Sequence, residues 1–464
     1  MDATTPTPTA ALAEWAASLS HEQVPPRVRQ RTSHLLLDTV ASALAGRGGD
    51  ETAQMEAVVR ALAPGDEATA FGAGRLSRIG ATLLNGYQVT AVTVCDVYRP
   101  ALCHVTPEVV PPALAIAEGS ATTGRDLVTA LAVGLETTVR VGRGINYASF
   151  RARGWHSPGV IGAFGGAAAA GRLMRLDAEQ MRWALGLAGS QAAGTFAHWG
   201  TPTIKFHQSR GAMAGLLAAT LARERFRSSD EILAHPDGGI FTSYSDGGNP
   251  AAVVADLGED WELERISMRL WPAASSIQGV VSAVFDLITE HDLRPDDVDR
   301  MRITLSDTTY RLHGEMSWDD RFKALLSTRY AAAVVLHDRE CWLEQFSARR
   351  IADPALTAFA RDRIEVTADP ALPVTGAAVE VELRDGRRHS VRREVPKGDA
   401  DDPLTIEELV GKFERAARGV LTDADAAAAL DLLLNVEGLE RVDDLMVVLA
   451  GGLPTRDTTV RAQA

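Results

Sequence analysis

Residues 160–171 read Val-Ile-Gly-Ala-Phe-Gly-Gly-Ala-Ala-Ala-Ala-Gly, without one polar side chain. A helix of this composition has no face to offer water, so it is expected to be buried on all sides. Its glycines and alanines let neighbouring helices approach with only thin side chains between them. The run Gly159-x-x-Gly162-x-x-Gly165-Gly166 follows no strand signal, and it reads as helix packing, not as a phosphate loop. Enclosing such a helix takes a large core. The chain has 464 residues, 46% of them apolar and 23% charged, the balance of a globular protein with two or three domains.

Similar segments lie around it, at 111–121, 124–141, 178–193 and 211–226. Nearer the start, Ser33 is expected to cap a helix carrying Leu35, Leu36, Val40 and Leu44, with Gly46 as its stop. Residues 10 to about 268 therefore read as a helical block. The texture then changes. Strands are expected at 300–305 and 363–367, and a hairpin joins 377–383 to 388–393 through Asp385-Gly386. Helices are expected between them at 323–336 and 354–361. After Asp401-Asp402-Pro403 helices resume at 405–417 and 423–435, the latter with Thr422 and Asp425 as a capping pair. The tail from Pro454 onward is polar and expected to fray. The predicted class is mainly α: a helical domain formed by 1–268 and 401–464, with a smaller α+β domain, 269–400, inserted.

Charge narrows the function. With 47 basic and 61 acidic side chains the net charge is −14, the wrong sign for a nucleic-acid or anionic-membrane binder. Cys95, Cys103 and Cys341 make no disulfide framework and no C-x-x-C pair, so a reducing, cytoplasmic setting is expected. The opening Met-Asp-Ala-Thr-Thr-Pro-Thr-Pro has neither the basic region nor the apolar run of a signal peptide. No stretch reaches the roughly 18 to 20 apolar residues of a membrane span.

Three clusters carry chemistry. The first runs from Cys95-Asp96-Val97-Tyr98 to Cys103-His104; the second is Arg151-Ala152-Arg153-Gly154-Trp155-His156; the third contains Lys205, His207 and Arg210. Each precedes a helix start, where backbone N–H groups and the dipole favour an anion. Imidazoles move protons near neutral pH, and Lys and Arg hold carboxylates. Arg99, Arg143, Arg151 and Arg153 add to the case for a bound anion. A Cys95–His104 thiolate pair is weighed below a buried thiol. The spacings of Asp96, His104, His156 and His207 match no compact metal motif.

Taken together the clusters resemble the MmgE/PrpD family, which includes 2-methylcitrate dehydratase, cis-aconitate decarboxylase and iminodisuccinate epimerase. The resemblance covers nearly the whole chain: residues 35–41, Asn85-Gly86, Gly154-Trp155-His156, residues 184–191, Arg269-Leu270-Trp271-Pro272, Ser327-Thr328-Arg329-Tyr330, Asp353-Pro354, Pro396-Lys397-Gly398-Asp399 and Lys412-Phe413. It implies a helical domain with an α+β lid, an active site between them, a homodimer, and neither metal nor organic cofactor. By position it implies catalytic roles for His104, His156, Tyr330, Asp96 and Lys205. Substrate contacts are expected from His207, Arg210, Arg269, Trp271, Tyr98, Cys95 and Gln278.

The departures are specific. Thr93 stands where the family's acidic run opens, Lys205 is one place nearer His207 than usual, and Gln278 replaces a lid histidine. A standard 2-methylcitrate dehydratase is therefore not expected. The reading is a metal-free lyase, dehydratase or decarboxylase, acting on a small carboxylate through an enolate-like intermediate. The alternatives are an epimerase or isomerase, or a repurposed non-catalytic homologue.

Overall fold

A computed structural model describes residues 6–451. The first five residues, and the tail expected to fray from Pro454, lie outside the described residues. The chain divides into two compact units. Unit 1 comprises Met1–Ala91, Cys95–Ile266 and Ile406–Ala464, and unit 2 comprises Val92–Val94 and Ser267–Thr405.

Unit 1 is helical. Helix α1 (Pro26–Gly46) starts well before Ser33, because Pro26 supplies the fixed φ that a first turn accepts. Ser33 lies inside the helix and its hydroxyl donates to the Arg29 carbonyl at 3.0 Å. Helix α2 spans Arg78–Ala91 and α3 spans Thr106–Ala117. The pattern had placed the start of α3 at Pro111, but Pro107 holds the first-turn slot and Pro111 and Pro112 sit inside. Next come α4 (Gly124–Gly144), α5 (Ser157–Leu173), α6 (Ala178–Gly189) and α7 (Thr203–Arg223). Because α7 begins at Thr203 and not at Gly211, Lys205, His207 and Arg210 lie on a helix.

Helix α5 holds the polar-free stretch, is buried from Ser157 to Gly171, and packs against α3, α4, α6 and α7. Its glycines set the spacing. A Cβ on Gly165 would lie 1.9 Å from Thr138 Oγ1 and 2.4 Å from the Gly134 carbonyl, both on α4. A Cβ on Gly215 of α7 would lie 2.7 Å from the Ala167 nitrogen of α5. Close-packed interiors do not yield to such overlaps without backbone movement.

Unit 2 contains α8 (Gln278–His291), α9 (Thr328–Asp338) and a four-stranded sheet. Its strands are β1 (Val298–Leu305), β2 (Ile364–Ala368), β3 (Ala377–Leu383) and β4 (Arg388–Arg393), in the order β2-β1-β3-β4. β1 pairs parallel with β2 (Ile303 opposite Val366) and antiparallel with β3 (Ile303 opposite Val379). The β3–β4 hairpin turns at Gly386, whose φ of +87° only glycine adopts without strain. Helix α8 packs on β3, β4 and α9. The helix expected over 323–336 is broken, because Ser327 Oγ accepts the Tyr330 N–H and so starts α9 afresh.

The chain then returns to unit 1 with α10 (Ile406–Ala417), which packs against α1. Lys412 Nζ lies 2.5 Å from Asp38 Oδ1, and both side chains are 0% exposed. A following helix, Asp423–Leu434, is capped by Thr422, whose Oγ1 accepts the Asp425 N–H. Among the described residues no helix is long and apolar enough to cross a membrane. Breaking the buried pair should be costly: K412M should lower unfolding free energy by about 3–5 kcal/mol, and D38L/K412M should recover part of it. Urea unfolding checks this, and a K412M loss below about 1 kcal/mol contradicts it.

Candidate active site

The three histidines singled out in the sequence all lie in unit 1. Each is set by the segment that leads into, or begins, a helix packed on α5. Tyr98 and Cys103 exchange backbone hydrogen bonds of 2.7 and 3.1 Å, closing a tight loop ahead of His104. Asp96 anchors that loop from below. Its Oδ2 accepts the Val105 N–H at 2.8 Å, and its Oδ1 accepts the N–H and hydroxyl of Thr106 at 3.1 and 2.6 Å. Burial outweighs these bonds and pushes the Asp96 carboxyl up to about 6. The Asp96 carbonyl accepts from His104 Nδ1 at 2.6 Å. A carbonyl only accepts, so Nδ1 carries the proton and Nε2 is the basic nitrogen of the neutral ring.

His156 is the residue before α5. The strand-like segment around it is pinned: Trp155 pairs with Thr195, and the His156 N–H donates to the Gly194 carbonyl at 3.0 Å. Gly194 has φ +130°, and a Cβ there would lie 3.0 Å from the His207 ring. Glycine at 194 therefore lets the two histidines meet. His156 Nδ1 and His207 Nδ1 are 3.0 Å apart, so one donates and the other accepts. Both rings are buried, and His198 lies edge-on to His207 at 5.8 Å between centroids.

Burial drives the electrostatics. It holds His156 well below the ordinary imidazole range, and the charges of His207, His104 and Arg151 push the same way. Burial also pushes His207 down to about 4, with Arg210 and His198 adding to the effect. Two buried imidazoles are thus in contact and held toward their neutral forms, and the charge of His104 acts on one of them, His156.

The other expected residues are placed as follows. Lys205 is buried, with Nζ 3.6 Å from Glu51 Oε2, which also accepts from the Tyr87 hydroxyl at 3.0 Å. Arg210, expected to hold a substrate carboxylate, instead donates to the backbone carbonyls of Gln191, Gly159 and Ala193 at 2.6, 2.6 and 2.8 Å. It braces the turn that carries Gly194. Tyr98, expected at the substrate, donates to Glu262 Oε2 at 2.9 Å and is buried. Cys95 is a buried thiol.

Unit 2 holds the remaining four. Gln278 Nε2 donates to the carbonyls of Trp271 and Ala273 at 3.0 and 2.9 Å, and Arg269 donates to the same Ala273 carbonyl at 3.2 Å. The Gln278 Oε1 is buried without a hydrogen-bond partner. Trp271 stacks on Phe285 at 5.1 Å. The Tyr330 hydroxyl donates to the Gln345 carbonyl at 2.6 Å, and burial raises its pKa.

Sequence reading missed Glu108. This fully buried carboxyl on α3 lies against Gly162 of α5 and Gly211 of α7, and burial pushes its pKa well above the carboxylate range. A lone acid in the apolar run 105–117 was the available signal. Among the described residues no group of three or more His, Cys, Asp or Glu is arranged to hold a metal ion.

Two family models match most of the chain. The MmgE/PrpD N-terminal domain matches residues 10–252, and the MmgE/PrpD C-terminal domain matches residues 271–437. The chain is 28% identical to the cis-aconitate decarboxylase-like protein oryM of Aspergillus oryzae, over 96% of this chain and 98% of that one. It is 25% identical to the cis-aconitate decarboxylase of Aspergillus terreus, over 95% of each chain. It is also 25% identical to the cis-aconitate decarboxylase of Homo sapiens, over 92% of this chain and 91% of that one. With family domains matched along most of its length, this chain is a member of the MmgE/PrpD family.

Proposed function

We propose that the chain is a lyase acting on a small di- or tricarboxylate at a carbon next to a carboxylate. The observation that carries this reading is the His156–His207 contact, with His104 held in one tautomer and its charge felt by His156. The relatives named as cis-aconitate decarboxylases favour loss of carbon dioxide over loss of water.

The chemistry balances with these groups alone. The scissile C–C bond breaks, carbon dioxide leaves, and the electron pair stays on carbon, spread into a neighbouring carboxylate as an enolate-like charge. That carbon then takes a proton from an imidazolium. Burial favours the neutral forms of His156 and His207. An entering carboxylate reverses the balance, because negative charge beside a ring raises its pKa. A proton taken up with the substrate is thus the one delivered to carbon. Neither a metal nor an organic cofactor enters this scheme.

Asp96 acts through position: its carbonyl fixes the His104 ring and its carboxyl fixes the loop. Lys205, Arg269 and Tyr330 enter by the family resemblance, as do the homodimer and the cytoplasmic setting. The three cysteines are buried and form no disulfide among the described residues, which suits a reducing compartment.

Replacing His104 or His156 by Ala should lower kcat/KM by about 10²- to 10⁴-fold, and retention within a few-fold contradicts the roles. R269Q and Y330F should each lower kcat/KM by about ten-fold or more. The imidazoles can be read directly. In 15N-histidine NMR spectra His207 should titrate near pH 4 and not near 6.5. The sign follows: between those values the unfolded chain binds a proton that the folded chain does not. The wild type should therefore lose stability more steeply than H207Q as pH falls from 6.5 toward 4.

A further inference from the structure

The arginines near the site differ in what engages them. Arg143 is paired with Glu262 at 3.1 Å, and Arg153 is exposed to water. Arg210 is engaged by three backbone carbonyls. Arg151 is different. It is half-buried, and it makes no hydrogen bond or ion pair with a described residue. Its guanidinium carbon lies 3.4 Å from the centroid of the Phe196 ring. Phe196 is itself stacked with Trp199, with centroids 5.2 Å apart and planes 10° apart. Phe196 also meets the His156 ring edge-on at 6.0 Å. Arg151 and His156 thus share one aromatic partner.

Stacking fixes the guanidinium plane and leaves its in-plane N–H donors for another group. A guanidinium has five such donors in a rigid fork that matches a carboxylate, and an ammonium has no equivalent. A half-buried cation without a counter-ion is costly to keep unless a ligand supplies the charge. Phe196 and Trp199 are held by the same 194–196 segment that pins His156, through the Phe196 N–H to the Gly154 carbonyl at 2.8 Å. Anchor and imidazole are therefore placed by one piece of backbone.

We propose that Arg151 binds a planar carboxylate of the substrate through its N–H fork, with Phe196 and Trp199 backing its plane, and so sets which carbon faces His156. The inference rests on the lyase reading above and names the residue that confers its carboxylate specificity. It also accounts for the choice of aromatic residues in a turn that only needed to connect two helices.

The test is calorimetric binding of propane-1,2,3-tricarboxylate, a saturated acid that cannot react, to the full-length protein. The wild type should bind it, and R151Q should bind about ten- to a hundred-fold more weakly. R151K, which keeps the charge but lacks the fork, should recover only a minor part of the loss. It also answers the question if R151Q does not fold. R151Q binding within two-fold of the wild type, or R151K binding like the wild type, overturns the role of Arg151 and leaves the lyase reading standing. A wild type that binds the tricarboxylate no better than the corresponding neutral triamide overturns the lyase reading itself, and this inference with it.

Discussion

Everything in unit 1 depends on one packing constraint: from Val160 to Gly171 α5 carries no polar side chain on any face, and that stretch must be enclosed completely. Gly165 brings it against α4, Gly215 brings α7 against it, and a Cβ on Gly166 would lie 2.6 Å from the Glu108 carbonyl of α3. The site is a by-product of that contact set. His104 leads into α3, His156 precedes α5, and His207 lies in the early turns of α7. Helices packed this closely bring their N-terminal ends, and the imidazoles on them, into one neighbourhood.

Burial then decides the resting chemistry. His156 and His207 are removed from water, and their neighbours are cationic or neutral, so both imidazoles are held neutral. Among the described residues no acid acts measurably on either ring. Asp96 has its oxygens engaged by the loop it caps, and Glu108 is pushed toward its neutral form by burial. A negative charge brought by a ligand is the missing element. In the proposed reaction substrate binding and proton uptake are coupled for that reason, with no moving acid needed in the protein.

The sequence made the fold legible where the pattern is local. A run without polar residues announced α5, and Asp385-Gly386 announced the β3–β4 hairpin. It failed where polar residues interrupt a helix, as at the start of α7, where Lys205, His207 and Arg210 looked like a loop. Candidate histidines were legible because they stand just ahead of helices or in their first turns. Their partners were not. His156 and His207 are 51 residues apart in the chain, and no spacing rule joins them. The backbone carbonyls that engage Arg210 and the Glu262 carboxylate that engages Tyr98 leave no mark beside those residues in the sequence. Arg151 was visible only as one arginine among several.

The central claim is that buried imidazoles, neutral until a substrate carboxylate enters, take up a proton with it and pass that proton to a carbon next to a carboxylate. The most direct measurement is incubation of the purified protein with cis-aconitate in deuterated water, followed by mass spectrometry of the products. The account predicts a product lighter by carbon dioxide that carries one deuterium on carbon. Substrate returned with deuterium on carbon and no loss of mass would mark an epimerase or isomerase. Substrate recovered unchanged across a panel of small polycarboxylates would contradict the claim.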